Sequence, residues 1–105
     1  MEGISVKQIF ITSDPEKDHQ SSAGVESTDV IVVLSDGAKY SASFFTYAFI
    51  EHTRMVNKLT GDFLSGKYFW GKNMVLVEEC TLEVINPVIR DIIDEGEFTE
   101  VFRRL

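Results

Sequence analysis

Two glycines and a lysine in Gly61-Asp62-Phe63-Leu64-Ser65-Gly66-Lys67-Tyr68 stand at the spacing of a phosphate-binding loop. In such a loop, backbone amides cradle the phosphates, the lysine meets the terminal ones, and a following Ser or Thr holds magnesium. Here Tyr68 occupies the place of that small hydroxyl residue. The loop must also run from a strand into a helix whose N-terminus faces the phosphate. The flanking residues predict the reverse order, so the segment reads as a connection from a helix to a strand.

His52 is the residue best suited to acid–base work, because imidazole titrates near neutrality. It falls in the apolar arc of a predicted helix, between Phe49, Met55, Val56 and Leu59. No carboxylate or nucleophile shares that arc, so the expectation is a partly buried, hydrogen-bonded histidine. His19 lies in a polar stretch and reads as solvated. Cys80 is the single cysteine. A helix N-terminus near Thr81 would lower its thiol pKa, whereas Glu78 and Glu79 act in the opposite direction. Two histidines and one cysteine far apart in the chain make no metal motif. No metal and no cofactor is expected. A lone cysteine forms no internal disulfide, which fits a reducing cytoplasm.

Aromatic residues crowd between Phe44 and Trp70, with Lys67 and Lys72 beside the last of them. A basic, aromatic strand can stack unpaired bases. The chain, however, carries a net charge of −7, and phosphate binding requires a cationic surface. Nucleic acid is therefore not an expected partner. Alternation sends Phe69 toward the core and Tyr68 and Trp70 to the other side. On an open side these two form an apolar patch with polar handles. His52, Tyr68 and Trp70 are the candidate lining of a small-ligand pocket.

All of the net charge lies between Glu78 and Glu100, where eight acids face one base, Arg90. Glu83 precedes one predicted helix, and Glu97 and Glu100 open another, where acids complement the helix dipole. Asp94 and Glu95 close a helix, where the same dipole disfavours them. Asp91, Asp94 and Glu95 are the candidate partner-binding residues, suited to a basic protein surface. The same charge repels acidic membranes.

These groups need a scaffold. A chain of 105 residues, 44% hydrophobic and 26% charged, is most simply one domain, residues 1–105, with a modest core. Its start lacks the features of a signal peptide, and its apolar runs fall far short of the roughly 18 residues of a membrane span. A cytoplasmic protein is the expectation.

Residues 4–11 read as a strand whose alternation slips at Lys7-Gln8, as at a β-bulge. Residues 13–28 read as a polar loop. Residues 29–34 are an almost unbroken apolar run, which suits a central strand. Asp36-Gly37 signals a hairpin into residues 39–45. A two-residue turn places Tyr40 opposite Val33 and Ala42 opposite Ile31; a bulged three-residue loop shifts the faces.

Thr46 and Gly61 bracket a helix over residues 47–60, with Glu51 paired to Arg54 on its polar side. Tyr68-Phe69-Trp70 and Met74-Val75-Leu76-Val77 read as two strands joined through Gly71-Lys72. Asn86-Pro87 starts a helix that buries Val88, Ile89, Ile92 and Ile93. Phe98, Val101, Phe102 and Leu105 make a short final helix. The order is β-β-β-α-β-β-α-α. This is an α+β fold, an antiparallel sheet of about five strands with helices packed on it.

The stretch from Asp36-Gly37 through Phe44-Phe45-Thr46, Thr60-Gly61 and Ser65-Gly66-Lys67-Tyr68-Phe69-Trp70, with Glu95-Gly96-Glu97-Phe98 near the end, resembles a group of short bacterial proteins with no assigned activity. It leaves out the loop before Asp29. The resemblance implies a bacterial origin and a small stand-alone domain, and it transfers no site residue.

The first functional expectation is a non-catalytic interaction module of inhibitor or immunity type, binding a basic partner. The alternative is a small-ligand binding protein or enzyme with a pocket at His52, Tyr68 and Trp70. A homodimer built on an exposed strand or the aromatic patch is the third.

Overall fold

The computed structural model describes residues 5–11 and 27–105. Most of the expected polar loop, with His19, lies outside the described residues. Strands β1 (Val6–Ile11), β2 (Ser27–Leu34) and β3 (Lys39–Thr46) form an antiparallel meander. The register of β1 on β2 shifts between Val6 and Gln8, which is the expected bulge. β2 begins before the apolar run, because Ser27 and Thr28 pair with Phe45 and Phe44. Thr28 and Phe44 are both buried on the same face of the sheet.

The hairpin takes the bulged form. Leu34 N–H donates to the Ala38 carbonyl and Gly37 N–H to the Leu34 carbonyl, each at 2.9 Å. Gly37, at φ +86°, is the left-handed residue of a three-residue loop. Tyr40 therefore stands opposite Val32, and Ala42 opposite Val30. The two-residue register is corrected accordingly.

Helix α1 (Tyr47–Thr60) has the expected ends. The buried Thr46 accepts the Phe49 N–H on Oγ1 at 3.0 Å, and Gly61 N–H bonds to the Asn57 carbonyl. A turn over Asp62–Gly66 follows, with Phe63, Leu64 and Ser65 all left-handed (φ 52°, 53° and 58°). Each such L-residue costs about 1–2 kcal/mol. Ring packing offsets this: Phe63 lies 5.3 Å from Tyr68 and 5.1 Å from Phe69. Phe69 also meets Phe45 edge-on at 6.1 Å. These contacts explain why residues 68–70 form no strand and Gly71-Lys72 no hairpin turn. The aromatic run caps a cluster on the outer face of the sheet.

The chain then returns to β3. Strand β4 (Met74–Val77) pairs with it in parallel, Ser43 with Met74 through Thr46 with Val77. A parallel pair requires a crossover of a dozen or more residues, and α1 with its following turn supplies it. The sheet is thus mixed, with one parallel pair among antiparallel ones.

Helix α2 (Leu82–Asp94) starts after Thr81, whose side chain makes no capping hydrogen bond, and keeps Pro87 inside it. It does not start at Asn86, because the amides of Val84 and Ile85 already bond to the Thr81 carbonyl. The fully buried Ile85 extends the Ile89 stripe back by a turn. Helix α3 (Phe98–Val101) is one turn long, and strand β5 (Arg103–Arg104) replaces the rest of the expected final helix. Below β4, the edge of β3 offers backbone partners: Ser41 pairs with Arg103 and Tyr40 with Arg104. The order is β1-β2-β3-α1-β4-α2-α3-β5, an α+β domain. Its core joins Val30, Val32, Leu34, Ala42, Phe44 and Val77 of the sheet to Ile85, Ile89, Phe98 and Phe102. Burying each large side chain contributes about 1.5–3 kcal/mol.

Candidate functional site

The outer face of the sheet carries the residues that alternate with the core: Asp29, Ile31, Ser41, Ser43 and Phe45. β4 and β5 both pair with β3 on its free edge, at different heights. Where they meet, a cavity of about 340 Å³ opens over β3. Asp29, Ser41, Ser43, Lys72, Asn73 and Arg103 line it.

Asn73 builds the corner of this cavity. Its carbonyl accepts the Ser43 N–H at 2.8 Å, and its Nδ2 donates to the Val101 carbonyl at 2.9 Å. Its φ of 54° is left-handed, a conformation that asparagine tolerates better than most residues. Ser43 Oγ donates to Asp29 Oδ1 at 2.8 Å. Lys72 and Arg103 are exposed, and among the described residues neither takes part in an ion pair. Lys72 and Arg103 give this cavity the charge to hold a small anion, beside the Ser41 hydroxyl.

Sequence reasoning missed this cavity. The polar alternation of Lys39, Ser41 and Ser43, with Asp29 opposite, was visible. The arrival of Lys72 and Arg103 depends on the parallel crossover and on β5.

The expected ligand residues do not line it. His52 is exposed rather than partly buried. The inner side of α1 is taken by the half-buried Phe49, Ile50 and Thr53 and by the buried Asn57, which turns the His52 side outward. Tyr68 and Trp70 are half or more exposed, and the Tyr68 ring leans edge-on against Phe63.

Asp91, Asp94 and Glu95 are exposed around the end of α2. Asp94 shares a shallow cavity of about 210 Å³ with Ser5, Val6, Arg90 and Ile93. Arg90, the one base of the acidic stretch, directs its Nε to Asn86 Oδ1 at 3.2 Å. The only ion pair among the described residues is Glu51–Arg54 on α1. The hydrogen bond from Arg54 holds the Glu51 carboxyl below its ordinary range and raises the Arg54 pKa. Both groups are exposed, so the pair adds little to stability.

The half-buried Cys80 stands just before the Thr81 cap, as its spacing implied, with its thiol 3.7 Å from the Phe44 carbonyl oxygen. Among the described residues, no group of three His, Cys, Asp or Glu side chains could hold a metal ion. None of their helices is long and apolar enough to cross a membrane.

The described residues thus define a small α+β domain with a polar cavity over β3 and an exposed acidic helix end. No protein-family model, curated protein or solved structure matches the chain.

Proposed function

We propose that this chain is a non-catalytic protein-interaction module of the bacterial cytoplasm that binds a basic partner surface, as an inhibitor or immunity-type protein does. The exposed acids Asp91, Asp94 and Glu95, which take part in no ion pair among the described residues, carry this reading. Asp94 and Glu95 oppose the dipole of α2, so the helix itself gains nothing from them. A surface of this kind speeds encounter with a positive partner and weakens with salt. The test is a titration with an arginine-rich peptide at low and at physiological ionic strength. The combined variant Asp91→Asn, Asp94→Asn, Glu95→Gln should bind about tenfold more weakly, at up to about 1 kcal/mol for each exposed charge. Equal affinity for the two proteins, with no response to salt, would sink the proposal.

A second reading, a small-ligand binding protein, is favoured by the cavity over Ser41 and Ser43 rather than by His52, Tyr68 and Trp70. Its ligand class is a small carboxylate or phosphate, met by Lys72 and Arg103. In a thermal-shift panel of amino acids, hydroxy acids and phosphate monoesters, ligand at about 100 times its Kd stabilises by about 2.7 kcal/mol. The variants Lys72→Ala and Arg103→Ala should lose that shift. A panel with no shift in the parent protein rejects this reading.

A further inference from the structure

We infer that α1 is the interface of a two-fold homodimer, in which the helices of two copies pack antiparallel. The seam is Ala48, His52, Met55 and Leu59. Their spacing alternates four, three and four residues, the a/d pattern of packed helix pairs. The helix sits in its own domain with the opposite side inward. Asn57 is buried and Ile50 and Thr53 are half-buried, whereas the four seam residues are all exposed.

The exposure is large. Leu59 is 89% exposed, Met55 60%, and Val56, on the edge of the seam away from Glu51, 42%. With ordinary side-chain areas these three present roughly 350 Å² of apolar surface, within the range of the largest patch on a typical monomer. Two such faces with their polar rims reach about 1,000–1,200 Å², the lower limit of a specific interface.

The charges beside the seam select a second copy as the occupant, and they select its direction. Glu51 and Lys58 lie seven residues apart on one edge of the seam. In an antiparallel pair, Glu51 of one copy meets Lys58 of the other, and the two-fold axis makes the contact twice. The same register sets the small Ala48 against the large Leu59, and His52 against Met55. In a parallel pair Glu51 would face Val56 and its charge would go unanswered. Arg54 already contacts Glu51 within the chain, so Glu51 would stand between two cations. This surface uses none of the acids of α2, so the dimer and the basic-partner reading stand or fall separately.

Sedimentation equilibrium of the full chain, from about 1 µM to about 500 µM, tests the inference. The expected result is a mass that rises from one copy to two. Leu59→Asp should stay monomeric or raise Kd at least about 30-fold. Its far-ultraviolet circular dichroism should remain native, because Leu59 contributes almost no burial within the monomer. Glu51→Lys and Lys58→Glu should each weaken the dimer about fivefold, and the double reversal should restore it. A parent protein that remains monomeric throughout overturns the inference, as does a Leu59→Asp variant that dimerises like the parent. A double reversal no tighter than either single variant overturns the antiparallel arrangement.

Discussion

Replacing Phe98 with alanine is expected to remove about 3–5 kcal/mol of folding stability, a large share of the 5–15 kcal/mol that holds an ordinary domain together. The ring is 1% exposed. It stacks on Phe102 at 4.5 Å and meets Tyr40 edge-on at 5.1 Å. Phe102 in turn contacts Phe44 at the centre of the sheet. Phe98 is therefore the link between the sheet and everything after α2. Its removal leaves a cavity bounded by paired strands, which cannot close in to fill it.

The local consequence is more specific than the global one. α3 is a single turn with no side-chain cap at its start, and one isolated turn has no stability of its own. Burial of Phe98 and Phe102 holds it in place. Without Phe98, β5 should fray and withdraw Arg103 from the cavity over Ser41 and Ser43. Thermal unfolding should show a midpoint lower by on the order of 15 °C, and the urea midpoint should fall with it. The exposed neighbour Thr99 provides the control, and Thr99→Ala should stay within about 0.5 kcal/mol of the parent. A Phe98→Ala protein within about 1 kcal/mol of the parent would show that α3 is not anchored this way.

The contrast between Phe98 and α1 shows what a sequence reveals about such a fold. Local signals were reliable where one chemical rule acts alone. The Thr46 cap, the Gly61 stop and the Lys7-Gln8 bulge each depend on a few neighbouring residues, and each is where the sequence implied. The exposure of Asp91, Asp94 and Glu95 followed from the buried stripe of Ile89, Ile92 and Ile93 on the same helix. α1 misled because it has two apolar sides. Met55, Val56 and Leu59 match Phe49, Ile50 and Thr53 in bulk and are more uniformly apolar, and an apolar side at helical spacing ordinarily faces a core. Phe49 stacks on Phe45, 5.3 Å away, at the very start of the helix. Ile50, Thr53 and Asn57 turn inward with it, which leaves the Met55 and Leu59 side outward.

The polar cavity failed to show for a different reason. Its two cations arrive through pairings between residues distant in sequence. Periodicity carries no information about a two-residue strand such as β5. It also hid the direction of β4, since an apolar run of four residues reads the same in a parallel or an antiparallel pair.

Gly66→Ala is the second substitution expected to be severe, at about 2–4 kcal/mol, because two costs coincide there. At φ +80° the residue is left-handed, which costs an alanine about 1–2 kcal/mol. An added Cβ would also lie 2.6 Å from the Arg54 carbonyl oxygen and 3.2 Å from Lys58 Cγ. The lysine can move aside. The carbonyl belongs to the backbone of α1 and cannot retreat without displacing a turn of that helix. Two neighbouring glycines separate the two costs. Gly61, at φ +89° with nothing within 4 Å, should show the conformational cost alone when changed to alanine, about 1–2 kcal/mol. Gly71 has no positive φ, and its nearest neighbour is Met74 Sδ at 3.9 Å, so Gly71→Ala should fall within about 0.5 kcal/mol of the parent. Denaturation midpoints of the three variants should therefore rank Gly71, then Gly61, then Gly66. If Gly66→Ala costs no more than Gly61→Ala, the turn does not press on α1. If it costs more, the left-handed turn is the brace that holds α1 with its Met55 and Leu59 side outward, where a second copy would meet it.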